Sequence, residues 1–391
     1  MLVGLVGVGV ALQQAGVLDA KPLAPLKKIF VVGVLSGVHA IDVQTGKIGP
    51  GIDTGILPHN LSLSRDGKRL FVSNVGSQSV SVIDVATEKK IQDILVGEVP
   101  DNGAHRKVGH ARMAQARSCF ECHQKNAVGT LPNALSWDPS GQYLMVNAIR
   151  ERSVTFLDPA QGKSIRSVKF PDLPTPSSPA NMVVHPKTGE IWVLHRYEGV
   201  EEGMGSAKEE HRPMRAERKA DFGHDAPLGQ RVSWVTVHDA KMERTLARIK
   251  MDMAIPFDGV FSQDGRWLYV GYRSAERIVV FDTKEKKVAR QIPTGTSPTG
   301  LAMSADRRKL YVTCLHSKPP VVQIIDAESG DIEASLQVPP SPSLVVTDPA
   351  TGLIYVTITG YNAVLEIDPV NKTLVRQFPA GHQPLALVLT R

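Results

Sequence analysis

The sequence lacks the signatures of several common enzyme classes. Its 391 residues contain no nucleophile elbow, no phosphate-binding glycine loop ahead of a helix and no paired-carboxylate signature. Lysine and arginine are scattered, and no run of them is interleaved with aromatic residues, although the net charge is +6. Hydrolases, nucleotide-dependent enzymes and nucleic-acid-binding proteins are therefore disfavoured.

Aromatic residues and cysteines are also few. Aromatic residues make up 5% of the chain, whereas glycine occurs 33 times and proline 27 times. This composition is typical of many short strands joined by tight turns, so the sequence predicts an all-β protein. Of the three cysteines, Cys314 lies alone on a predicted strand, where a buried small hydrophobic residue is expected.

The other two cysteines lie in the sequence Cys119-Phe120-Glu121-Cys122-His123. Two thiols at this spacing with a histidine after the second are typical of c-type haem attachment, in which the thiols form thioethers to the porphyrin edge. The adjacent imidazole then binds the iron. The sequence predicts one covalent haem c on Cys119 and Cys122, with His123 as proximal iron ligand.

Two alternatives explain the same motif less well. A zinc site would need a fourth nitrogen or sulfur ligand and rarely uses adjacent residues of one strand. A redox-active dithiol normally opens a helix in a βαβ unit, and no such unit is predicted around residue 119. Haem attachment is the preferred interpretation.

The N-terminal region, residues 1–27, begins with an apolar run that is too short to span a bilayer. It resembles the apolar part of a secretory signal, although no basic residue precedes it, and it would anchor the chain to a membrane only if left uncleaved. Covalent haem c attachment takes place outside the bacterial cytoplasm. We therefore expect a periplasmic or secreted protein.

Two landmarks recur along the chain. A proline opens an apolar strand seven times, and an aspartate closes an alternating strand seven times. The prolines are Pro58, Pro132, Pro179, Pro256, Pro298, Pro342 and Pro384, and the aspartates are Asp42, Asp84, Asp158, Asp239, Asp282, Asp326 and Asp368. Four proline-to-aspartate intervals are 26 residues and four aspartate-to-proline intervals are 16 residues. The repeat is therefore about 42 residues long.

Each repeat contains signals for four short antiparallel strands, which is typical of a propeller blade. Seven repeats predict a seven-bladed β-propeller over residues 28–391. The last proline is followed by a strand but by no further aspartate. This C-terminal strand is therefore expected to pair into the first blade, next to residues 29–50, which would close the ring and remove its open edge.

The second strands of several repeats carry a shared sequence pattern. The segments LFVSN, LYVGY, LYVTC and IYVTI are each followed by an alternating strand that ends in aspartate. In this respect the chain resembles the YVTN family of seven-bladed propellers over roughly residues 28–391. The resemblance implies a propeller fold and often a secreted location, but it does not imply a reaction.

Two repeats are longer than the others. Asp84 to Pro132 spans 48 residues in place of 16, and Pro179 to Asp239 spans 60 in place of 26. The excess predicts a haem c insertion at 98–130 between two blades and a highly charged insertion at 199–231 within blade four. Strand parity places both connections on the same face, where we expect them to pack together over blades two to four.

The second axial ligand of the iron is not fixed by the motif. No methionine or histidine lies between His123 and Pro132. The expected distal ligand is His110 or Met113, with Met214 or His224 from the charged insertion as weaker candidates. A residue on the propeller rim, such as His59, is a further alternative.

The predicted strand connections also assign each histidine to a face of the propeller. Nine of the twelve fall on the face that carries the insertions, and the other three are His39, His185 and His238. Connections between strands carry function more readily than strands do. A second metal on this His-rich face is therefore an alternative to solvated or haem-contacting imidazoles, but no specific motif supports it.

Three function classes fit these features. The first is an electron-transfer protein in which the propeller presents one haem c to a partner, which the basic pI of 9.1 suggests to be acidic. The second is an oxidoreductase in which the haem is the catalytic iron or a relay to a second metal. The third is a scaffold subunit of a redox complex. The sequence leaves open whether the protein is an enzyme.

Overall fold

A computed structural model describes residues 24–97, 130–173, 177–197, 232–253 and 255–391. These residues form seven antiparallel sheets arranged as the blades of a propeller, as the repeats predict. In six blades the four strands pair in chain order from the central axis to the rim. None of the described residues belongs to a helix that is long and apolar enough to span a membrane.

The strands follow the predicted repeat closely. Blade one contains β1 (Lys28–Gly33) and β2 (Gly37–Asp42) and is completed by β27 (Pro384–Thr390). Blade two contains β3 (Pro58–Leu63), β4 (Arg69–Asn74), β5 (Ser79–Asp84) and β6 (Lys89–Leu95). Blade three contains β7 (Pro132–Trp137), β8 (Leu144–Ala148), β9 (Ser153–Asp158) and β10 (Lys163–Lys169). Blade four contains β11 (Ser177–Val184), β12 (Ile191–Tyr197), β13 (Ser233–His238) and β14 (Thr245–Met251).

The remaining three blades are regular. Blade five contains β15 (Pro256–Phe261), β16 (Trp267–Tyr272), β17 (Arg277–Asp282) and β18 (Lys287–Pro293). Blade six contains β19 (Pro298–Met303), β20 (Lys309–Cys314), β21 (Val321–Asp326) and β22 (Ile332–Gln337). Blade seven contains β23 (Pro342–Thr347), β24 (Ile354–Ile358), β25 (Ala363–Asp368) and β26 (Thr373–Pro379), with a single 3-10 turn at Thr359–Tyr361.

Ring closure occurs as the sequence predicts. Strand β27 pairs antiparallel with β1, so that Lys28 lies opposite Thr390 and Phe30 lies opposite Val388. Blade one nevertheless differs from the expected four strands, because its outer edge is made only by two isolated bridges, Val38 to Ile52 and Ile41 to Ile48. Pro50 lies between these bridges and has no N–H to donate, which is unfavourable for a continuous ladder.

The recurring aspartates have a local structural role. At the end of β5, the Asp84 carboxylate accepts hydrogen bonds from the backbone N–H of Thr87 at 2.8 Å and from its hydroxyl at 2.8 Å. These hydrogen bonds hold the pKa of Asp84 below its usual range. The same arrangement recurs at Asp42 with Thr45 and at Asp368 with Asn371. The aspartate is therefore repeated because it fixes the turn into the outermost strand.

Consecutive residues of an inner strand pack against opposite neighbours. On β4, Leu70 and Val72 lie in a cluster with Phe30 of blade one, whereas Phe71 lies in a cluster with Leu135 of blade three. Both faces of each blade are thus covered, which explains why the inner strands are buried at nearly every position. Outer strands alternate between exposed and half-buried residues, as in β18.

A belt of polar side chains joins the second strand of one blade to the innermost strand of the next. The Thr313 hydroxyl donates to the carbonyl of Ser343 at 2.6 Å, and the Thr357 hydroxyl donates to the carbonyl of Leu385 at 3.0 Å. In blade three, Asn147 Nδ2 donates to the carbonyl of Pro179 at 2.6 Å. Each donor comes from the second strand of its blade and each acceptor from the first strand of the next. The recurring polar residue in the LYVTC-like segments therefore links blades together.

Cys314 has the structural role that the sequence predicts. Its side chain is fully buried, and burial raises the pKa of the thiol to about 12. A thiol with such a pKa is almost entirely protonated near neutral pH and is a poor nucleophile. Cys314 is a packing residue.

Candidate functional site

The predicted haem residues all lie outside the described residues. Cys119, Cys122 and His123, together with the candidate distal ligands His110 and Met113, belong to the segment 98–129. The candidates Met214 and His224 belong to the segment 198–231. Haem attachment and iron ligation at these positions remain predictions. His59 is described: it is half-buried and is the second residue of β3.

The points where these two segments leave the propeller are well defined. Segment 98–129 connects β6 to β7, and the Thr130 hydroxyl donates to the carbonyl of Val96 at 3.1 Å. The chain therefore returns to within hydrogen-bonding distance of the point from which it leaves. Segment 198–231 connects β12 to β13, where His195 lies opposite Trp234 in the sheet.

Strand direction determines which end of the propeller these points occupy. In a four-stranded antiparallel blade, the connection before the first strand and the connection between the second and third strands emerge at the same end. We name this the proline end, because the innermost strands begin there at Pro58, Pro132 and Pro256. Both segments leave from the proline end, in the adjacent blades three and four.

The proline end of blades three to five carries several arginines. Arg196 and Arg273 occupy the position that directly follows the residue paired with the blade-opening proline. The same position in blades two and three holds the buried residues Val75 and Ile149. Arg150 comes one residue later in blade three. Glu151 and Glu276 lie in the same connections, so this side of the proline end carries charges of both signs.

A row of polar side chains is buried between blades three and four. His195 on β12 and His238 on β13 each place Nε2 at 2.8 Å from the hydroxyl oxygen of Thr236. His195 is completely buried, and the exposed fractions of Thr236 and His238 are 1% and 3%. We refer to these three residues as the His–Thr–His row.

Burial keeps both imidazoles of the row neutral. Desolvation lowers the pKa of His195 to about 3, with a further contribution from the nearby His238. Desolvation also lowers the pKa of His238 to about 4, against the attraction of Asp239. The Phe170 ring packs against both imidazoles, with centroid distances of 4.7 Å to His195 and 5.5 Å to His238. Two neutral imidazoles sharing one hydroxyl can exchange protons with it.

The two ends of the row differ in exposure. His238 and Thr236 line a groove of about 200 Å³, and Nδ1 of His238 lies 3.4 Å from the hydroxyl of the exposed residue Thr245. At the other end, Nδ1 of His195 is buried and has no hydrogen-bond partner. The groove is further lined by Phe170, Asp172, Leu173, Met242, Glu243, Arg244 and Arg248.

The sequence did not reveal this row. The sequence assigns His195 to the face that carries the insertions and leaves His238 away from that face, and the cross-strand register that joins them does not follow from spacing. One signal was available, because Thr236 and His238 alternate along a strand and must project on the same side. Elsewhere in the described ranges, no three His, Cys, Asp or Glu side chains converge closely enough to hold a metal ion.

Comparisons with known proteins agree with the fold. Residues 230–361 match the family model of the cytochrome d1 haem domain. The structure resembles hydrazine synthase of Kuenenia stuttgartiensis, with a TM-score of 0.59 and 17% identity over 83% of this chain and 87% of that chain. It also resembles the periplasmic gluconolactonase PpgL of Pseudomonas aeruginosa, with a TM-score of 0.63 and 15% identity over 94% of this chain and 99% of that chain.

A third similar structure is a putative 6-phosphogluconolactonase of Bacteroides fragilis, with a TM-score of 0.62 and 14% identity over 95% of this chain and all of that chain. Identities this low establish the propeller fold and not an activity. The comparison with curated proteins gave no match. The haem-domain match begins just before β13 and ends at the 3-10 turn of blade seven, so it covers only part of the propeller.

Proposed function

We propose that this protein is a periplasmic, haem c-carrying β-propeller of the YVTN type that transfers electrons. The observation that carries the proposal is the Cys119-Phe120-Glu121-Cys122-His123 sequence, which lies in a segment that leaves the propeller between two blades. The match of residues 230–361 to the cytochrome d1 haem domain supports a haem-related redox role.

We propose that arginines of the proline end pair with the carboxylates of the haem. A haem carries two propionate groups, and arginine is the side chain best suited to pair with carboxylates. Arg150, Arg196 and Arg273 supply such cations on the blades next to the departing segments. When bound, the haem would supply one-electron exchange at its iron, while Cys119 and Cys122 would hold the porphyrin and His123 would bind the iron.

The redox partner is proposed to be an acidic protein. The chain has a net charge of +6, and the segment proposed to carry the haem leaves the propeller at the proline end. Opposite charges on two redox proteins increase their rate of encounter. A decrease in the electron-transfer rate with increasing salt would support this partner class, and a rate independent of ionic strength would contradict it.

Haem attachment is tested by expressing the protein together with haem c attachment machinery and staining denaturing gels for haem. We expect a stained band for the parent protein and for Cys314→Ala, and no band for Cys119→Ala/Cys122→Ala. Cys314→Ala is the matched control because it removes a thiol outside the motif. Stain that survives the double substitution would contradict covalent attachment at these cysteines.

The optical spectrum then separates electron transfer from catalysis at the iron. Six-coordinate, low-spin haem is expected for electron transfer, whereas high-spin haem or a bound second metal would favour the oxidoreductase alternative. Substituting His110, Met113, Met214 and His224 one at a time identifies the distal ligand, and we expect the spectrum to change for His110 or Met113. Four unchanged spectra would exclude all of these ligands.

A further inference from the structure

The hydrogen bonds of the His–Thr–His row restrict where its protons lie. The Thr236 hydroxyl has one hydrogen and lies 2.8 Å from Nε2 of both His195 and His238. If it donates to one ring, it must accept from the N–H of the other. The two neutral imidazoles are then in opposite tautomers.

The surroundings of the two Nδ1 atoms favour one of the two hydrogen-bond directions. If Thr236 donates to His238, the Nδ1–H of His238 points to the Thr245 hydroxyl at 3.4 Å, and Nδ1 of His195 carries only a lone pair. The reverse order would leave an N–H without an acceptor at the buried Nδ1 of His195. Buried donors without a partner are rarer than buried acceptors without one. The resting state is therefore the arrangement in which Thr236 donates to His238.

We propose that the row is a reversible proton-transfer path between the buried Nδ1 of His195 and the solvent-filled groove at Thr245. When Nδ1 of His195 takes up a proton, its Nε2 proton passes to the Thr236 oxygen, and the hydroxyl proton of Thr236 passes to Nε2 of His238. The Nδ1 proton of His238 then leaves through Thr245 to water. One proton crosses, no charge stays in the core, and both rings exchange tautomer.

The use of this path rests on the proposed function. Changing the charge of a buried redox centre by one electron is often balanced by uptake or release of a proton by nearby carboxyl groups. The path lies in blade four, which carries one of the two departing segments, and His195 is close to the point where that segment leaves. At the buried end, the proton would be supplied and taken back by a carboxyl group whose ionisation follows the charge of the redox centre.

The path itself is tested without any haem. Imidazole nitrogen NMR at pH 7 should report His195 protonated at Nε2 and His238 protonated at Nδ1. Protonation of both rings at Nε2 would overturn the proposal, because Thr236 would then accept two hydrogen bonds and its own proton would not be aligned for transfer.

The rate at which the His195 ring proton exchanges with D₂O shows whether the Thr236 hydroxyl transfers protons or has only a structural role. Transfer through the row predicts that Thr236→Val slows this exchange about a hundredfold, which is the order of magnitude contributed by a positioned acid–base group. Thr236→Ser should restore fast exchange. A purely structural hydroxyl predicts the opposite sign, because the less stable Thr236→Val protein would open more often and exchange faster.

A buried threonine hydroxyl in blade three provides the matched control. Thr155 is fully buried and shares its hydrogen bond with Ser167 at 2.8 Å, without contact to an imidazole. Thr155→Val should leave the exchange rate of the His195 proton unchanged. If the parent protein takes up no haem but Thr236→Val slows the exchange, the proton path stands and only the proposed function is overturned. If Thr236→Val speeds the exchange, the path is overturned whether or not the protein carries haem.

Discussion

The boundary between blades three and four and the boundary between blades six and seven perform the same structural task with different residues. The cluster between blades six and seven is built from aliphatic side chains such as Val322, Ile324 and Ile354 together with Tyr311. The boundary between blades three and four buries the His–Thr–His row beside Phe170. Apolar packing together with hydroxyl hydrogen bonds such as Thr313 to Ser343 is therefore sufficient to join two blades, and buried imidazoles are not required by the fold.

The difference also has an energetic side. Burying a polar group is unfavourable unless it is hydrogen-bonded, and one nitrogen of His195 remains without a partner. Apolar residues of similar volume would be expected to stabilise this boundary. The presence of the polar row in blade four is consistent with a role in proton transfer.

The largest effect on stability is expected at the boundary between blades six and seven. Ile354→Ala removes three buried carbon atoms from a residue that is completely buried, and such truncations typically cost about 2–5 kcal/mol of unfolding free energy. Ile354→Val should cost about 0.5–1.5 kcal/mol. Chemical denaturation at pH 7 and pH 5 measures both costs, and a cost that differs between the two pH values would contradict a boundary without buried titrating groups.

The polar boundary should instead respond to pH. The unfolded pKa of His238 is near 6.5 and its folded pKa is about 4, so its contribution to stability is complete above pH 6.5 and is lost as the pH falls. Between pH 7 and pH 5 the loss should be about 2 kcal/mol. Over this pH range, the free energy of unfolding of the parent protein should fall by this amount more than that of His238→Gln. Parallel stability profiles for the two proteins would contradict a buried neutral imidazole.

The polar belt should show a smaller effect. The Thr357 hydroxyl accepts from the N–H of Leu344 at 2.9 Å and donates to the carbonyl of Leu385 at 3.0 Å. Thr357→Val leaves both groups without this partner and should cost about 1–2 kcal/mol. Thr357→Ser keeps the hydroxyl and is the matched control. Equal denaturation midpoints for the two variants would show that the belt does not stabilise the ring.

The smallest effect is expected from removing a segment that the ring does not need. Because the Thr130 hydroxyl bonds to Val96, a short turn can replace residues 99–129. Closure entropy varies slowly with loop length, so stability should change by about 1 kcal/mol or less. Circular dichroism should show a folded, haem-free propeller, and loss of cooperative unfolding would show that this segment and the ring fold together.

Sequence reasoning predicted the fold well because the propeller repeats local chemistry. The strand-opening prolines and the turn-fixing aspartates act within a few residues, and their spacing located each blade. The broken outer edge of blade one was missed because Gly49, Pro50 and Gly51 replace a regular strand only in this repeat.

The candidate site was less predictable. Cys119, Cys122 and His123 were recognised from their spacing, which is a property of the cofactor chemistry. The His–Thr–His row depends on the register between β12 and β13, and that register follows from the packing of the whole blade. Arg196 and Arg273 align with apolar residues of other blades, a substitution that becomes clear only once the repeats are superposed residue by residue.

The central claim is that the segment leaving the proline end carries one covalent haem. Intact mass spectrometry of the denatured protein, after expression with haem c attachment machinery, tests it most directly. The account predicts a mass that exceeds the polypeptide by one haem in the parent and by none in Cys119→Ala/Cys122→Ala. A parent protein whose mass equals that of its polypeptide alone would contradict it.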